Sequence, residues 1–367
     1  MKIFKVILAV STLSGTIIGV GLFSLPFITS KVGIWVMLGY FAALGTLVVV
    51  IHRFFGEVVL KTEGQHRLPG YAGIYLGKIG KIVAVISTIL GLFGALLAYL
   101  LVGGEFLTAL FSSQWGGGNL TYTLLYFSVG AALIFFGIKT IAKIEFFGLL
   151  LFFAILAAIF FRGLPFIRPA NLIAFDPAYL FLPYGAILFS LWGAALIPEI
   201  KEMIGEPRLV RKIIAPAIII PAFVYLAFIF LVLGITGSQT SSEAIVGLKN
   251  YLGDGIVTLA LFFGLLTTFT SFITLGLTLK KVFWYDLKIP KNAAWLITLA
   301  VPLVLYFAGL RDFIEVIGLV GAVMLGIDGI LIILMFRKIA PKRKFLAYPL
   351  ILIFLAGILY EIIYFIR

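Results

Sequence analysis

Eleven apolar segments, each long enough to cross a bilayer, follow one another with almost nothing between them. They run over residues 5–28, 34–60, 80–110, 121–138, 140–161, 177–204, 209–236, 254–281, 292–310, 314–336 and 346–366. A hydrocarbon core about 30 Å thick takes roughly 20 apolar residues per helix. Lipid offers no partner to backbone N–H and C=O groups, so a span of this length satisfies them within itself, as a helix. The expected fold class is therefore all-α integral membrane, with a single transmembrane domain over 1–367. The chain is 63% hydrophobic and 12% charged, against about 45–50% and about 25% in a soluble domain. The absence of Cys excludes disulfide scaffolds, thiolate metal sites and iron–sulfur clusters. Two imidazoles, His52 and His66, are too few for a zinc cage or a haem pair. The first segment has no small-residue cleavage site and is read as a span rather than a signal peptide.

Charge sets the expected orientation. With the N-terminus inside, 22 of the 28 Lys and Arg fall on the inner side and 6 on the outer side. Basic residues in short loops stay cytoplasmic. An odd number of spans then puts the C-terminus outside. The expected location is the cell membrane, multi-pass. The net charge of +13 is a topology signal here and not a nucleic-acid footprint, so no nucleic-acid partner is expected.

Two segments are interrupted where a helix should be continuous. The first carries Gly15, Gly19, Gly21 and Pro26; the sixth carries Gly193 and Pro198. In each, a Gly precedes a Pro by five residues, and the two breaks are 172 residues apart. Gly costs about 1 kcal/mol and Pro about 3 inside a helix. Broken backbone within a membrane persists only where protein or a cavity satisfies it. The sixth segment comes five spans after the first, an odd step, so it crosses in the opposite sense. Matched breaks in oppositely oriented halves indicate an inverted repeat, here residues 1–165 and 170–340, with 341–367 as an extra helix 11.

The stretch GTIIGVGLFSLP resembles helix 1 of amino-acid permeases in the amino acid–polyamine–organocation superfamily, and FSLWGAALIPEI resembles their helix 6. GEVVLKTEGQHRLPGYAGIYLGKIGK is similar to the loop after helix 2 in the auxin and amino-acid permease branch. TSFITLGLTLKKVFWYD is similar to helix 8 of the hydroxy and aromatic amino-acid permeases of that branch. The resemblance covers roughly residues 5–340. It implies a five-plus-five inverted-repeat transporter fold with broken helices 1 and 6, eleven transmembrane helices in all, alternating access and amino-acid uptake. It also implies that Gly15, Ile18, Thr267, Thr270 and Ser271 occupy the positions of a sodium site between helices 1 and 8. Some proton-coupled relatives carry a Lys in helix 5 in place of that ion, and the matching residue here is Phe152.

A broken helix presents its ends to the midplane. Half-helix N-termini carry unpaired N–H groups and about +0.5 of a charge, which suits a carboxylate. Gly21, Leu22 and Phe23 are the candidate donors. Half-helix C-termini expose carbonyls, which suit an ammonium group; the candidates are Ile18 and Gly19, with Phe189 and Ser190. Val20, Trp192, Gly193 and Ala194 complete the expected substrate site. Phe23, Phe189 and Trp192 are candidate gates or stacking partners. No Arg or Lys lies deep in a span, which argues against a dicarboxylic substrate; the resemblance implies a neutral one, aromatic or hydroxylated. Gly91, Gly94, Ala95 and Ala98 form one face of helix 3, suited either to leaving room for substrate or to close helix packing.

Ionisable groups inside a membrane are functional candidates by default. Asp328 lies near the middle of helix 10 and Glu105 near the outer end of helix 3. Glu199 follows Pro198 and either caps the inner half of helix 6 or pairs with Lys5. Glu145 is read as interfacial. The expected function is cation-coupled symport, with sodium or a proton as coupling ion and no resident cofactor. The alternative is a membrane amino-acid sensor on the same scaffold, of the germinant-receptor type. No P-loop, paired carboxylates or His cluster supports an enzyme, and no regular polar stripe supports a channel pore. Oligomeric state is left open.

Overall fold

The computed structural model describes residues 2–64, 66–137, 141–341 and 347–366. The element α1 (Lys2–Ile17) ends at the first break, and α2 (Gly21–Lys61) resumes after it. The α2 helix turns sharply at Gly33 (φ 79°, ψ 162°), so the first two predicted segments meet at a kink rather than through a loop. A positive φ and the Ala174 carbonyl packed against the Cα leave space for nothing larger than Gly there. The next helix, α3 (Leu68–Trp115), has a matching kink at Gly77 (φ 74°). Residues 68–76 form a helical stretch before it that the hydropathy pattern reads as loop.

Then come α4 (Asn119–Phe136) and α5 (Ile141–Gly163). Three 3-10 turns, each with Pro in its first turn, occupy part of 164–182. The sixth helix therefore starts at residue 183 and not at 177. It is split into α6 (Pro183–Leu191), a 3-10 turn over Ala194–Leu196, and α7 (Ile197–Ile204). After α8 (Pro207–Thr236) and the short α9 (Lys249–Leu252) come α10 (Asp254–Lys281) and α11 (Lys291–Phe307). The chain closes with α12 (Phe313–Leu319), α13 (Leu325–Ile339) and α14 (Ala347–Ile366). A π turn, Val320–Met324, joins α12 to α13. Among the described residues, seven helices are long and apolar enough to cross a membrane, and three shorter apolar helices accompany them.

The helices pack in two groups. The α2 helix lies against α8 and α6, and α1 against α8 and α7; α3 lies against α10, α4 and α11. Within the first group, Arg211 on α8 grips Glu57 on α2 with two hydrogen bonds of 2.5 and 2.9 Å. The Lys201 ammonium on α7 donates to the carbonyls of Val59 and Thr62 at the end of α2, 2.9 Å each. Within the second group, the buried Lys280 donates to the carbonyls of Ile134 and Phe135 at the end of α4, at 2.9 and 3.0 Å. The α5 helix touches α1 on one side and α10 on the other, and α13 spans α2 and α3. The last helix is more than an appendage. Its Phe354 is fully buried against Gly329, and its Ile353 carbonyl accepts a 3.1 Å hydrogen bond from Tyr184 on α6.

Candidate functional site

At the first break, the helical ladder stops with Ile18 N–H donating to Ser14 O (2.8 Å). The chain then folds on itself: Gly19 N–H donates to Ile17 O (2.8 Å), Leu22 N–H to Gly19 O (3.2 Å) and Phe23 N–H to Val20 O (3.1 Å). Two of the expected carboxylate donors, Leu22 and Phe23, are thus engaged within the break. At the second, α6 ends at Leu191 and Trp192 is extended (φ −82°, ψ 118°). The backbones come close at this level. A Cβ on Gly21 would lie 2.9 Å from Ser190 Cα, and one on Gly193 would lie 2.8 Å from Leu13 Cδ1 and 2.9 Å from Ile17 Cδ1.

Three side chains from other helices reach the broken backbone, and hydropathy analysis names none of them. Tyr225 on α8 directs its hydroxyl at the Ile17 carbonyl (2.5 Å) and the Ser190 carbonyl (2.9 Å), tying the two helix C-termini together. Tyr99 on α3 accepts a long 3.4 Å hydrogen bond from Val20 N–H. His52 on α2 accepts from Gly193 N–H through Nε2 at 2.9 Å. Its Nδ1 lies 2.8 Å from the Val48 carbonyl, one turn back on the same helix. A carbonyl can only accept and an amide N–H can only donate, so these partners fix the proton on Nδ1 and the ring as neutral.

Between the breaks lies a cavity of about 210 Å³. Of the sequence-derived substrate candidates, Gly19, Gly21, Phe189, Ser190, Trp192, Gly193 and Ala194 line it. Ile18, Val20, Leu22 and Phe23 are buried outside that lining. The small-residue face of α3 divides its roles. Gly91 and Ala95 line the cavity, whereas Ala98 is buried in the core and Gly94 packs under Val320. Phe23, outside the lining, packs in an edge-to-face cluster, 4.9 Å from Phe106 and 6.1 Å from Phe228. The lining also includes Phe55 of α2 and, at the start of α3, Arg67 and Leu68.

The acids fall into different places. Asp328 is buried and lines the cavity, with the Ser87 hydroxyl of α3 donating to its Oδ1 at 2.5 Å. Glu199 lines the cavity too, and its partner is Arg67. This corrects both readings of Glu199, since α7 has no side-chain cap and the cation is Arg67 rather than Lys5. The reason is that Arg67, at the N-cap of α3, lines the cavity beside Glu199. Glu105 accepts a 2.8 Å hydrogen bond from Asn119 and joins α3 to α4 away from the cavity. The side chain of Glu145 lies outside the described residues.

The sodium-site candidates are less assembled. Ser271 lines the cavity, and Gly15, Ile18, Thr267 and Thr270 do not. The hydroxyls of Thr267 and Thr270 donate to carbonyls of their own helix, those of Gly264 (3.0 Å) and Thr267 (3.1 Å). Such donation leaves the oxygen lone pairs free to meet a cation. In this conformation α1 packs mainly on α5, α7 and α8. Phe152 is buried with its ring 5.2 Å from Phe263 of α10. Among the described residues, no group of three or more His, Asp or Glu could hold a metal ion.

A sequence model of the tryptophan/tyrosine permease family matches residues 2–365. Tyrosine-specific transport system 1 of Haemophilus influenzae is 28% identical over 185 residues, which is 49% of this chain and 45% of that protein. The match thus spans less than half the length of that curated relative. Among solved structures, MhsT in complex with L-phenylalanine superposes with a TM-score of 0.67 at 16% identity, covering 98% of both chains. The inward-facing conformation of Mhp1 gives 0.69 at 15% identity, covering 92% of this chain and 76% of that one. At these identities the structural likeness is one of fold.

Proposed function

The chain belongs to the tryptophan/tyrosine permease family, and on that premise we propose that it is a secondary active transporter of a neutral aromatic amino acid, working by alternating access. The observation that carries this reading is the pair of helix breaks facing one cavity of about 210 Å³. A zwitterion needs N–H donors for its carboxylate and carbonyls for its ammonium, and helix ends supply both without a charged side chain. Gly21 N–H is the proposed carboxylate donor. The carbonyls of Gly19 and Ser190 are the proposed ammonium acceptors. Phe189 and Trp192 offer an aromatic wall, and the space over Gly91 and Ala95 takes the side chain. Arg67 is the cation at the cavity mouth and is paired with Glu199, which favours a substrate without a second carboxylate. The match to a permease family favours transport over sensing.

The proposed topology is a five-plus-five inverted repeat with eleven crossings, N-terminus cytoplasmic and C-terminus outside. The Phe23–Phe106–Phe228 cluster then closes the outer side, and the cavity opens inward past Arg67. For the coupling cation there are two proposed places. One is the oxygen set of Gly15, Ile18, Thr267, Thr270 and Ser271, suited to sodium. The other is the Asp328 carboxyl beside Ser87, suited to a proton. An ion shifts the conformational equilibrium only by its differential affinity for the two states. Uptake of an amino-acid panel into liposomes, under imposed sodium or pH gradients, tests the whole reading. Aromatic substrates are expected to accumulate, with Ser271→Ala weakening a sodium dependence or Asp328→Asn abolishing a proton dependence. Uptake of no aromatic amino acid under either gradient refutes the proposal.

A further inference from the structure

We propose that His52 is a positioning residue for the amino-acid site: its imidazole holds the Trp192–Gly193 peptide and the Trp192 ring in the arrangement the substrate meets. The inference rests on the transport reading above and adds a residue that no break motif contains. His52 is completely buried, on a helix that is itself unbroken at that level. It reaches across 141 residues of sequence to the one amide that follows the extended Trp192. Its ring stands edge-on to Trp192, centroids 5.1 Å apart and planes at 74°. Trp192 and Gly193 both line the cavity, whereas His52 stands behind them and is not part of the lining.

The chemistry explains why this position holds an imidazole. An amide N–H at a helix break in an apolar core requires an acceptor. The acceptor must come from a side chain that is itself fixed, or the break gains no rigidity. The Nδ1–H bond to Val48 O fixes the ring on its own helix turn, which aims the Nε2 lone pair at Gly193. An outer group that orients a contacting group in this way is the logic by which second-layer residues tune a site. His52 also takes the Gly193 N–H out of the set that can meet a carboxylate. It therefore settles which amides at this end of the cavity remain for substrate.

The test compares His52→Leu with His52→Gln in the full-length protein. Leu removes the acceptor. Gln supplies an amide oxygen for Gly193 N–H and an N–H for Val48 O. KM and maximal uptake rate are measured in liposomes for whichever amino acid the wild type transports, and amide hydrogen exchange is measured over residues 190–196. An unmet buried N–H predicts, for His52→Leu, a KM raised about tenfold with a smaller change in maximal rate, and faster exchange confined to the break. His52→Gln is expected to return KM to within about threefold of wild type and to restore protection. An unchanged KM in His52→Leu overturns the proposal, as does a KM rise that Gln leaves uncorrected with exchange accelerated along the whole chain. If the wild type transports no amino acid, the transport reading falls by itself. The exchange comparison then still decides whether His52 holds the break.

Discussion

Replacing Tyr225 by Phe removes one oxygen and leaves the ring, so packing against Phe41 at a centroid distance of 6.4 Å is kept. The lost hydroxyl faces two carbonyls, but they are not equally dependent on it. Ile17 O also accepts from Gly19 N–H at 2.8 Å, while Ser190 O, 2.9 Å from the hydroxyl, is left with an unmet lone pair. One under-satisfied buried acceptor costs about 1–2 kcal/mol. The substrate-free protein is therefore expected to lose about that much stability, seen as a thermal midpoint a few degrees lower in detergent. In the proposed complex the substrate ammonium meets Ser190 O. The variant then recovers on binding part of what it lost, and its affinity is expected to rise two- to tenfold, since about 1.4 kcal/mol is a factor of ten. Ligand-induced stabilisation is the assay, because a ligand that binds the folded state raises the midpoint in proportion to its affinity. An unchanged midpoint without substrate, together with lost binding, refutes the reasoning. It would mean that the hydroxyl contacts substrate directly and does not tie the two helix ends.

Gly193→Leu and Gly21→Leu are expected to abolish amino-acid binding while most of the protein stays folded. Even a Cβ at Gly193 meets Leu13 and Ile17, overpacking costs about 1–3 kcal/mol, and a larger side chain fills the approach to the break; size-exclusion profiles and substrate binding check this. Tags at the two termini are expected to be accessible from opposite sides of intact cells, and access from one side refutes the odd number of crossings.

The breaks are legible in the sequence because Gly and Pro are energetically out of place inside an apolar helix. Gly21 and Gly193 could be read directly, and so could Asp328, an acid near the middle of a span whose other acid, Glu315, lies at its end. The groups that satisfy the breaks are not legible. Tyr225, Tyr99 and His52 look like ordinary members of apolar helices, and their partners lie 208, 79 and 141 residues away. Glu199 shows the same limit. Its neighbourhood in sequence suggests a cap or Lys5, and only the fold brings Arg67, at the start of α3, to it. Gly33 and Gly77 lie in what hydropathy reads as connections between spans, where one residue with positive φ does the work of a loop.

The lysine contacts alter what the basic excess means at one face of the molecule. A helix carries about −0.5 of a charge at its C-terminus, and α2, α4 and α13 all end in carbonyls that accept from lysine: Lys201 on α2, Lys280 on α4 and Lys61, at 3.2 Å, on α13. These ammonium groups neutralise the molecule's own negative poles. The potential that reaches the lipid headgroups there is accordingly smaller than a count of lysines gives. Adsorption to anionic lipid should follow the remaining, uncommitted basic residues, and Lys280, buried against α4, should resist acylating reagents that modify its exposed neighbours.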